Sequence, residues 1–284
     1  MTQTKTDVVP LLKLNDGNTI PQLGFGVFKI RDNAVETIRT ALEVGYRHID
    51  TAQMYHNEEQ VGEALRSSGL ERDEVFITSK LGNANHHPDD ARRTFDESLE
   101  KLGVDYVNLF LIHWPLPTRY DGDFVSTWNV LEGFKRDERA RSIGVSNFEP
   151  EHLQRLADES ETVPAVNQIE VHPYFTNDAV RAYGRENGIL TEAWAPITKG
   201  RVLNDELIGE IARRVDRTPA QVVMRWHIQR GDIVFPKTVT PSRMEENLQL
   251  FDFKLEPVDM DRIATLDRGA DGRIGPHPNT FDAV

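Results

Sequence analysis

Cysteine is absent from the 284-residue chain. Its absence excludes disulfide bonds, thiolate metal sites and cysteine nucleophiles, and it fits a reducing compartment. The chain also lacks any apolar run near the roughly 20 residues that cross a bilayer. Its first residues, MTQTKTDVVPLLKLNDG, lack the basic segment and the apolar segment of a secretory signal. We therefore predict a soluble, cytoplasmic protein that does not bind a membrane.

Basic residues are scarce relative to acidic ones, with 33 lysines and arginines against 46 aspartates and glutamates. A surface of net charge -13 repels nucleic acid and anionic lipid, so neither is expected as a partner. Linkers rich in glycine or proline are also missing. The hydrophobic content of 38% is enough for a substantial core. We predict a single domain over residues 1–284.

The segment LLKLNDGNTIPQL alternates apolar and polar residues on both sides of Asp16-Gly17-Asn18, which predicts a β-hairpin that plugs one end of the fold. Helical patterns then alternate with apolar strand-like runs. We predict eight strands, at residues 24–28, 48–50, 75–80, 107–113, 142–146, 165–171, 190–195 and 233–236. Two segments with capping-box spacing, TPAQ from Thr218 and SRME from Ser242, predict the starts of two late helices.

Strict alternation of eight strands with helices predicts an α/β fold of the (β/α)8 TIM barrel type, with the hairpin as an N-terminal plug. The competing fold is a doubly wound open sheet. That fold usually carries a glycine-rich turn after its first strand and an acidic residue about 20 positions later. The run GFGVF at residues 24–28 has no third glycine and no helix directly after it, so the barrel is favoured.

Single ionisable residues end three successive predicted strands: Asp50 ends YRHID, Lys80 ends VFITSK and His113 ends VNLFLIH, with Tyr55 five residues after Asp50. Taken singly, each has an ordinary explanation as a helix cap, a packed ring or a surface charge. In a barrel, however, the carboxyl ends of the strands meet at one mouth. The sequence therefore predicts a polar site there.

These four side chains suit the protonation of an oxygen atom that is gaining negative charge. A phenol with an ordinary pKa of about 10 is a weak acid at neutral pH, and a nearby ammonium group lowers that pKa. A carboxylate would keep the ammonium charged, and an imidazole can hydrogen-bond the same oxygen. No residue supplies a hydride and no metal cage is apparent, so a hydride would have to come from a cofactor.

A cofactor phosphate commonly binds after the last two strands of such a barrel, at a helix N-terminus. The segment VFPKTVTPSRMEEN places Lys237, Thr238 and Arg243 there, at the helix predicted to be capped by Ser242. The alternative, that Lys237 and Arg243 only solvate an ordinary loop, stays open on these residues alone.

Longer motifs identify a family. They are GYRHIDTAQMYHNEEQVG, the pair His113-Trp114, IGVSNF, PAVNQIEVHP, and the segment from Lys237 to Asn247. Through them the chain resembles the aldo-keto reductase superfamily over almost its entire length. Within it, LNDGNTIPQLGFGVFKI, RWHIQRG and ENLQLFDF resemble bacterial 2,5-diketo-D-gluconate reductases and related actinobacterial members.

The resemblance implies an NADPH-dependent carbonyl reductase that reduces aldehydes, ketones or dicarbonyls such as keto-sugars or methylglyoxal. It implies that Tyr55 is the general acid, that Lys80 depresses its pKa, that Asp50 pairs with Lys80, and that His113 orients the substrate. For the cofactor, the resemblance implies that the nicotinamide contacts are Ser146, Asn147, Gln168 and Trp194, and that the phosphate contacts are Lys237, Thr238 and Arg243. It implies adenine contacts by Glu246 and Asn247, and a groove lined by the backbone of Ile197, Phe235 and Val239. Arg273 is expected to close over the cofactor.

Phe28, His113 and Trp114 are expected to line the substrate pocket. Gly82 departs from the relatives, several of which have tryptophan there, so we expect a wider or wetter mouth. Two alternatives remain: an NADPH-binding regulatory subunit on the same fold with little turnover, and a metal-dependent hydrolase, which needs a spaced histidine set that this chain does not show. We expect no metal, a small carbonyl substrate and a monomer.

Overall fold

An N-terminal hairpin opens the computed structural model, which describes residues 9–284. Its strands, β1 (Leu11–Lys13) and β2 (Thr19–Pro21), pair antiparallel. Gly17 lies in the turn with φ of 93°, a backbone region that glycine enters without steric cost. The hairpin predicted from the alternating pattern is confirmed.

Eight parallel strands form the central sheet, and each pairs with the next along the chain. They are β3 (Phe25–Gly26), β4 (His48–Asp50), β5 (Phe76–Leu81), β6 (Val107–Ile112), β7 (Ala140–Ser146), β8 (Val166–Glu170), β9 (Leu190–Trp194) and β10 (Ile233–Val234). A parallel bridge between Leu23 and Val234 joins the last strand to the first, and the Gly24 amide donates to the Val234 carbonyl oxygen at 2.9 Å. The sheet is therefore closed, which confirms the predicted (β/α)8 barrel.

Helices connect the strands and pack around the sheet. They are α1 (Ala34–Val44), α2 (Glu58–Ser67), α3 (Pro88–Leu102), α4 (Phe124–Arg136), α5 (Pro150–Glu159), α6 (Asp178–Glu186), α7 (Glu206–Arg214), α8 (Pro219–Gln229), α9 (Pro241–Leu248) and α10 (Pro257–Ala264). Their apolar faces and the outer face of the sheet form the larger of two buried hydrophobic clusters.

The two predicted capping boxes have different outcomes. At the start of α8, Thr218 caps the helix and Gln221 returns the hydrogen bond, as predicted. The Ser242 box is wrong, because α9 begins one residue earlier at Pro241, with Thr240 as its N-cap and no side-chain cap. Proline favours the first helical position, since its fixed φ suits the helix and its missing N–H would be unpaired there. Ser242 thus lies inside the helix.

A second, smaller hydrophobic cluster fills the N-terminal end of the barrel interior, and we call it the floor. Its buried members are Leu14, Ile20, Phe76, Leu109, Leu111, Ala165, Val166, Ile233 and Phe235. Two of them belong to the hairpin, which therefore closes this end of the barrel. A Cβ at Gly24 would lie 2.7 Å from the Phe235 ring, so the absence of a side chain on β3 makes room for that ring.

Polar side chains fasten the hairpin to distant parts of the chain. Asn15 donates to the Pro164 carbonyl oxygen at 2.9 Å, and Asn18 donates to the Arg141 carbonyl oxygen at 3.1 Å. On the other side, Gln22 donates to the carbonyl oxygens of Ile228 and Asp232. The hairpin therefore connects the β7 and β8 side of the barrel with the residues that lead into β10.

Candidate active site

A lysine at the opposite end of the barrel organises the predicted site. Lys80 is fully buried near the end of β5, and its Nζ donates to both carboxylate oxygens of Asp50 at 2.8 Å. It also donates to the Thr51 carbonyl oxygen at 2.9 Å and lies 3.4 Å from the Tyr55 hydroxyl. We call the polar interior around Lys80 the mouth. Three of the four side chains predicted at strand ends thus meet directly.

The charge state of Lys80 follows from two opposed influences. Burial alone would lower the pKa of the ammonium group, but the charges of Asp50 and Tyr55 and the hydrogen bond that Lys80 donates to Asp50 raise it above its ordinary value. A buried ammonium group is stable only when it is paired and hydrogen-bonded, as it is here. Lys80 is therefore a permanent cation beside the phenol.

Tyr55 differs from the sequence expectation in its net acidity. Burial raises the pKa of the Tyr55 hydroxyl, the Lys80 charge and hydrogen bond lower it, the Asp50 charge raises it, and the net direction is upward. Lys80 acts in the expected direction, but the loss of water around the phenol outweighs it. The phenol is therefore protonated at neutral pH and holds a proton that it can donate.

His113 follows β6 and stands beside Tyr55, with their rings edge to face and their centroids 5.8 Å apart. Its Nδ1 atom is buried without a hydrogen-bond partner among the described residues. Burial, followed by the Lys80 charge, holds the pKa of His113 well below its ordinary value, so the ring is neutral. A neutral imidazole has one nitrogen that donates and one that accepts, so this ring can donate a hydrogen bond.

Aromatic side chains surround the opening above Tyr55. The Phe28 ring lies 4.9 Å from the Tyr55 ring and is 52% exposed. Trp114 packs against Phe281 of the C-terminal tail, with centroids 4.2 Å apart. The sequence analysis predicted Phe28 and Trp114 but missed Phe281. The only signal for it was an aromatic residue in an otherwise polar tail, and nothing local indicated where that tail returns.

Gly82 follows β5 directly, two residues after Lys80. Its amide donates to Gln53 Oε1 at 2.7 Å, and a Cβ there would lie 3.1 Å from Asn85 Nδ2 and 3.3 Å from Gln53 Oε1. A side chain at this position therefore requires Gln53 or Asn85 to move. Without one, the wall that an aromatic residue would form is missing.

The residues predicted to hold the nicotinamide amide are brought together. Ser146 donates to the Gln168 carbonyl oxygen at 2.8 Å, and Asn147 donates to the His113 carbonyl oxygen at 3.0 Å. The Trp194 indole donates to Asn147 Oδ1 at 2.8 Å, which fixes the ring while leaving it partly exposed. Gln168 lies in the middle of β8.

Gln168 also joins the mouth to a residue that the sequence analysis missed. Its Nε2 donates to Asp50 Oδ2 and to Glu192 Oε2, both at 2.9 Å. Glu192 is fully buried, and burial, followed by the Asp50 charge, raises its pKa to about 8. The signal was present in the strand pattern: Glu192 is two residues before Trp194 and so faces the same side of β9.

The predicted phosphate contacts lie at the start of α9. Lys237 and Arg243 are exposed, and neither forms an ion pair with any residue of 9–284. Thr238 is buried, and its hydroxyl accepts a hydrogen bond from the Thr240 amide at 3.1 Å. Two cations therefore flank one helix N-terminus, Lys237 in the preceding loop and Arg243 in the first turn of α9.

The predicted adenine contacts follow in α9. Asn247 is buried, and Glu246 accepts a hydrogen bond from the Thr218 hydroxyl at 2.6 Å. Glu246 also lines a surface cavity of about 670 Å³, which none of the four predicted catalytic residues reaches. Of the residues predicted to line the cofactor groove, Phe235 is buried, Ile197 is partly buried and Val239 is 56% exposed.

The loop after β9 holds a further residue that the sequence did not single out. Thr198 has φ of 52°, an unfavourable backbone conformation for a β-branched residue, and its buried hydroxyl has no hydrogen-bond partner among the described residues. Strain of this kind persists only where the surrounding structure imposes it, and it is concentrated at functional sites.

Arg273 belongs to a fastened part of the tail. Its guanidinium group pairs with Glu149 at 3.3 Å and stacks over the Phe175 ring at 4.5 Å. The next two residues bind Glu170, whose carboxylate accepts hydrogen bonds from the Ile274 amide at 2.6 Å and the Gly275 amide at 2.8 Å. The tail is thus held beside the mouth, and a cofactor contact for Arg273 stays a prediction.

Metal and membrane features can be stated for the described residues only. Within 9–284, no three histidine, aspartate or glutamate side chains are grouped closely enough to hold a metal ion. Across the same residues, no helix combines the length and the apolar character needed to cross a bilayer.

The mouth of the barrel brings a phenol, a buried ammonium group and a neutral imidazole together, a class of site suited to an oxygen atom that gains negative charge. The model of the "Aldo/keto reductase family" matches residues 22–268. An "Aldo-keto reductase" of Mycolicibacterium smegmatis is 46% identical over 274 residues, which cover 96% of this chain and 98% of that protein. The chain belongs to the aldo/keto reductase family of oxidoreductases, which confirms the resemblance seen in the sequence.

Two further proteins are similar to this chain over almost its whole length. The "Methylglyoxal reductase DkgA" of Escherichia coli strain K12 is 43% identical over 274 residues, which cover 95% of this chain and 98% of that protein. The crystal structure of a mutant of Gox0644 in complex with NADPH is 46% identical, with a TM-score of 0.92, and covers 96% of this chain and 98% of that one.

Proposed function

We propose that this protein is an NADPH-dependent carbonyl reductase that converts aldehydes, ketones or dicarbonyls, such as methylglyoxal or keto-sugars, to alcohols, with Tyr55 as the proton donor. The observation that carries the proposal is the Tyr55 hydroxyl 3.4 Å from the buried Lys80 ammonium, which Asp50 holds at 2.8 Å. A phenol beside a fixed cation is suited to donate a proton to an oxygen that is becoming negative.

The residues present fit NADPH. Lys237 and Arg243 are exposed cations without an acidic partner among residues 9–284, and the Thr238 hydroxyl lies between them, a set suited to a phosphate group. Trp194 offers a partly exposed indole face at the mouth, on which a flat aromatic ring can stack. NADPH, when bound, supplies the hydride of the reduction.

Tyr55 then provides the proton. The carbonyl oxygen gains negative charge as the carbonyl carbon is reduced, and the phenol donates its proton to that oxygen. The tyrosinate left behind is stabilised by Lys80, whose own charge is maintained by Asp50. The raised pKa of Tyr55 ensures that the proton is present at neutral pH, and Lys80 limits how tightly it is held.

His113 orients the substrate. Its neutral ring can donate a hydrogen bond to the same carbonyl oxygen without competing with Tyr55 for the role of acid, because burial keeps its pKa low. Phe28 and Trp114 provide apolar walls, and Gly82 contributes no side chain to the opening. Similarity to methylglyoxal reductases supports small dicarbonyl substrates.

The decisive experiment measures NADPH oxidation with methylglyoxal, simple aldehydes and keto-sugars. Tyr55→Phe should lower kcat by about 10³-fold while NADPH binding, followed by tryptophan fluorescence, is retained. The matched control is Tyr183→Phe, since the Tyr183 hydroxyl binds only Gln154 on the surface and its loss should not change kcat. Tight NADPH binding by the wild type with no turnover on any carbonyl would favour the regulatory subunit instead.

The remaining predictions from sequence are retained here as part of the proposal: one domain over residues 1–284, a monomer, and action in the cytoplasm on a small-molecule carbonyl.

A further inference from the structure

Glu192 is the carboxyl group in the barrel interior that the proposed mechanism leaves without a role. It is 0% exposed, it forms no ion pair with a described residue, and its Oε1 has no hydrogen-bond partner within residues 9–284. Its one hydrogen bond is accepted by Oε2 from Gln168 Nε2 at 2.9 Å. A buried carboxylate with one neutral partner and no cation is unfavourable, whereas a neutral carboxyl group is tolerated.

The geometry of Gln168 ties Glu192 to the catalytic groups. An amide nitrogen has two hydrogens, and Gln168 directs one to Asp50 and the other to Glu192. Both donors are therefore used, and the orientation of the amide depends on an acceptor at each end. Asp50 in turn holds Lys80, so a change at Glu192 reaches the Tyr55 hydroxyl through a continuous chain of hydrogen bonds.

We propose that Glu192 is a positioning residue of the reductase site, which fixes Gln168 and Asp50 and, as an uncharged acid, keeps the interior charge around Lys80 balanced. This inference rests on the proposed function for its catalytic consequence, while the protonation of Glu192 can be tested without it. With Glu192 neutral, one carboxylate faces one ammonium. Ionisation of Glu192 adds a second negative charge, which stabilises the protonated phenol and makes Tyr55 a weaker acid.

The groups around Glu192 act on its pKa in opposite directions, and the influences that favour the neutral acid are the larger. Asp50 on β4 disfavours a second negative charge, Lys80 on β5 favours it, and burial is the largest influence against it. His48, the other titratable group of the β4 interior, is neutral, because burial lowers its pKa to about 3. On the neighbouring strands β8 and β10, the residues paired with Glu192 are Gln168 and Ile233, which do not titrate.

Two substitutions separate the two roles of Glu192. Glu192→Gln keeps the shape and a hydrogen-bond acceptor for Gln168 but cannot ionise. Glu192→Leu removes the acceptor, leaves a buried N–H of Gln168 unpaired, and should lower kcat about tenfold at every pH. Glu58→Gln is the matched control, because Glu58 is also a buried carboxyl but is bound by Ser79 and Ser98, away from the mouth.

Kinetics provide the first readout. Between about pH 6 and about pH 9.5, the kcat for carbonyl reduction by the wild type and by Glu58→Gln should fall about threefold through an ionisation near that of Glu192. In Glu192→Gln this fall should be absent. A second expected result is that Glu192→Gln keeps the kcat that Glu192→Leu loses. An unchanged alkaline fall in Glu192→Gln would overturn the inference.

Direct titration provides the second readout. In the protein labelled with ¹³C at the glutamate carboxyl carbon, one resonance should be that of a neutral acid at neutral pH and should vanish in Glu192→Gln but remain in Glu58→Gln. A Glu192 resonance that is ionised throughout the range overturns the inference whatever the activity. Absence of reductase activity in the wild type, with Glu192 neutral, would instead overturn the proposed function and the catalytic role together.

Discussion

The floor and the mouth of the barrel lie on the same inner face of the strands, yet they have opposite chemistry. On β5, Phe76 belongs to the floor, whereas Lys80, four residues later on the same face, lies at the mouth. The floor is closed by the hairpin and consists of apolar side chains, with the His48 ring packed against Phe76 and Phe235, so its stability comes mainly from apolar burial. The mouth contains buried charges that are stable only as a connected set. The residues that stabilise the barrel and the residues proposed to carry out its chemistry therefore lie at opposite ends of the barrel axis.

Removal of the central cation should have the largest effect. Lys80→Met takes away the group that stabilises tyrosinate and leaves the Asp50 carboxylate buried without a cation. We expect kcat to fall by about 10³-fold and the free energy of unfolding to fall by about 3–5 kcal/mol. Steady-state kinetics and urea unfolding measure the two losses.

A double variant tests the reason given for the loss of stability. Asp50→Asn combined with Lys80→Met removes both charges, so most of the stability should return while activity stays lost. If the single variant keeps activity within tenfold of the wild type, the mouth is not organised by Lys80.

A change in the floor should lower the stability of the protein and leave kcat nearly unchanged. Leu109→Ala opens a cavity within the floor and should lower the free energy of unfolding by about 2–5 kcal/mol. Because Leu109 lies on the inner face of β6 below His113, kcat measured well below the melting temperature should change little. A large fall in kcat with intact stability would show that floor and mouth are not separable.

The pH dependence of stability should reveal the buried acid of the mouth. The pKa of Glu192 in the folded protein, about 8, is above its unfolded value of 4.5, so the folded state holds a proton that the unfolded state has lost. Stability therefore falls as the pH rises between these values, by about 1 kcal/mol per pH unit.

The Glu192→Gln variant lacks this proton. Its stability relative to the wild type should grow as the pH rises from 4.5 to about 8 and then level off, since both states of the wild type are ionised above that range. Chemical unfolding at several pH values measures the difference. A difference that does not depend on pH would contradict the neutral state of Glu192.

The smallest effect is expected where the tail meets the mouth. A Cβ at Gly275 would lie 2.5 Å from Trp194 Cη2 and 2.9 Å from Glu170 Oε2, so Gly275→Ala must displace the indole or the tail. We expect NADPH to bind about three- to tenfold more weakly, with a change in stability below about 1 kcal/mol. Gly209→Ala is the control, because a Cβ there meets nothing within 4 Å. Equal affinity in both variants would separate the tail from the cofactor groove.

Much of this architecture could be predicted from local patterns. Alternation gave the hairpin around Gly17, and apolar runs ending in Asp50, Lys80 and His113 indicated the barrel and its mouth, because periodicity reports which face of a strand is buried. The capping box at Thr218 was predictable for the same reason, since it depends on residues three positions apart.

The rest depends on contacts that no local pattern encodes. The Glu170 carboxylate binds amides about a hundred residues later, and Phe281 meets Trp114 only because the tail returns over the mouth. The net direction of the Tyr55 pKa could not be predicted, because burial, which sequence does not report, acts against the neighbouring cation. At Ser242, the preference of Pro241 for the first helical position prevailed over the spacing of a capping box.

The hairpin has a consequence for the order of assembly. It is the first part of the barrel to leave the ribosome, but the groups that bind it are synthesised much later. Asn15 binds Pro164, and Gln22 binds Asp232, which lies 210 residues further along the chain. These long closures come late in any folding sequence, because the entropy of the intervening chain has to be lost first. During synthesis the apolar side chains of Leu14 and Ile20 therefore lack part of the floor until Ile233 and Phe235 have been made.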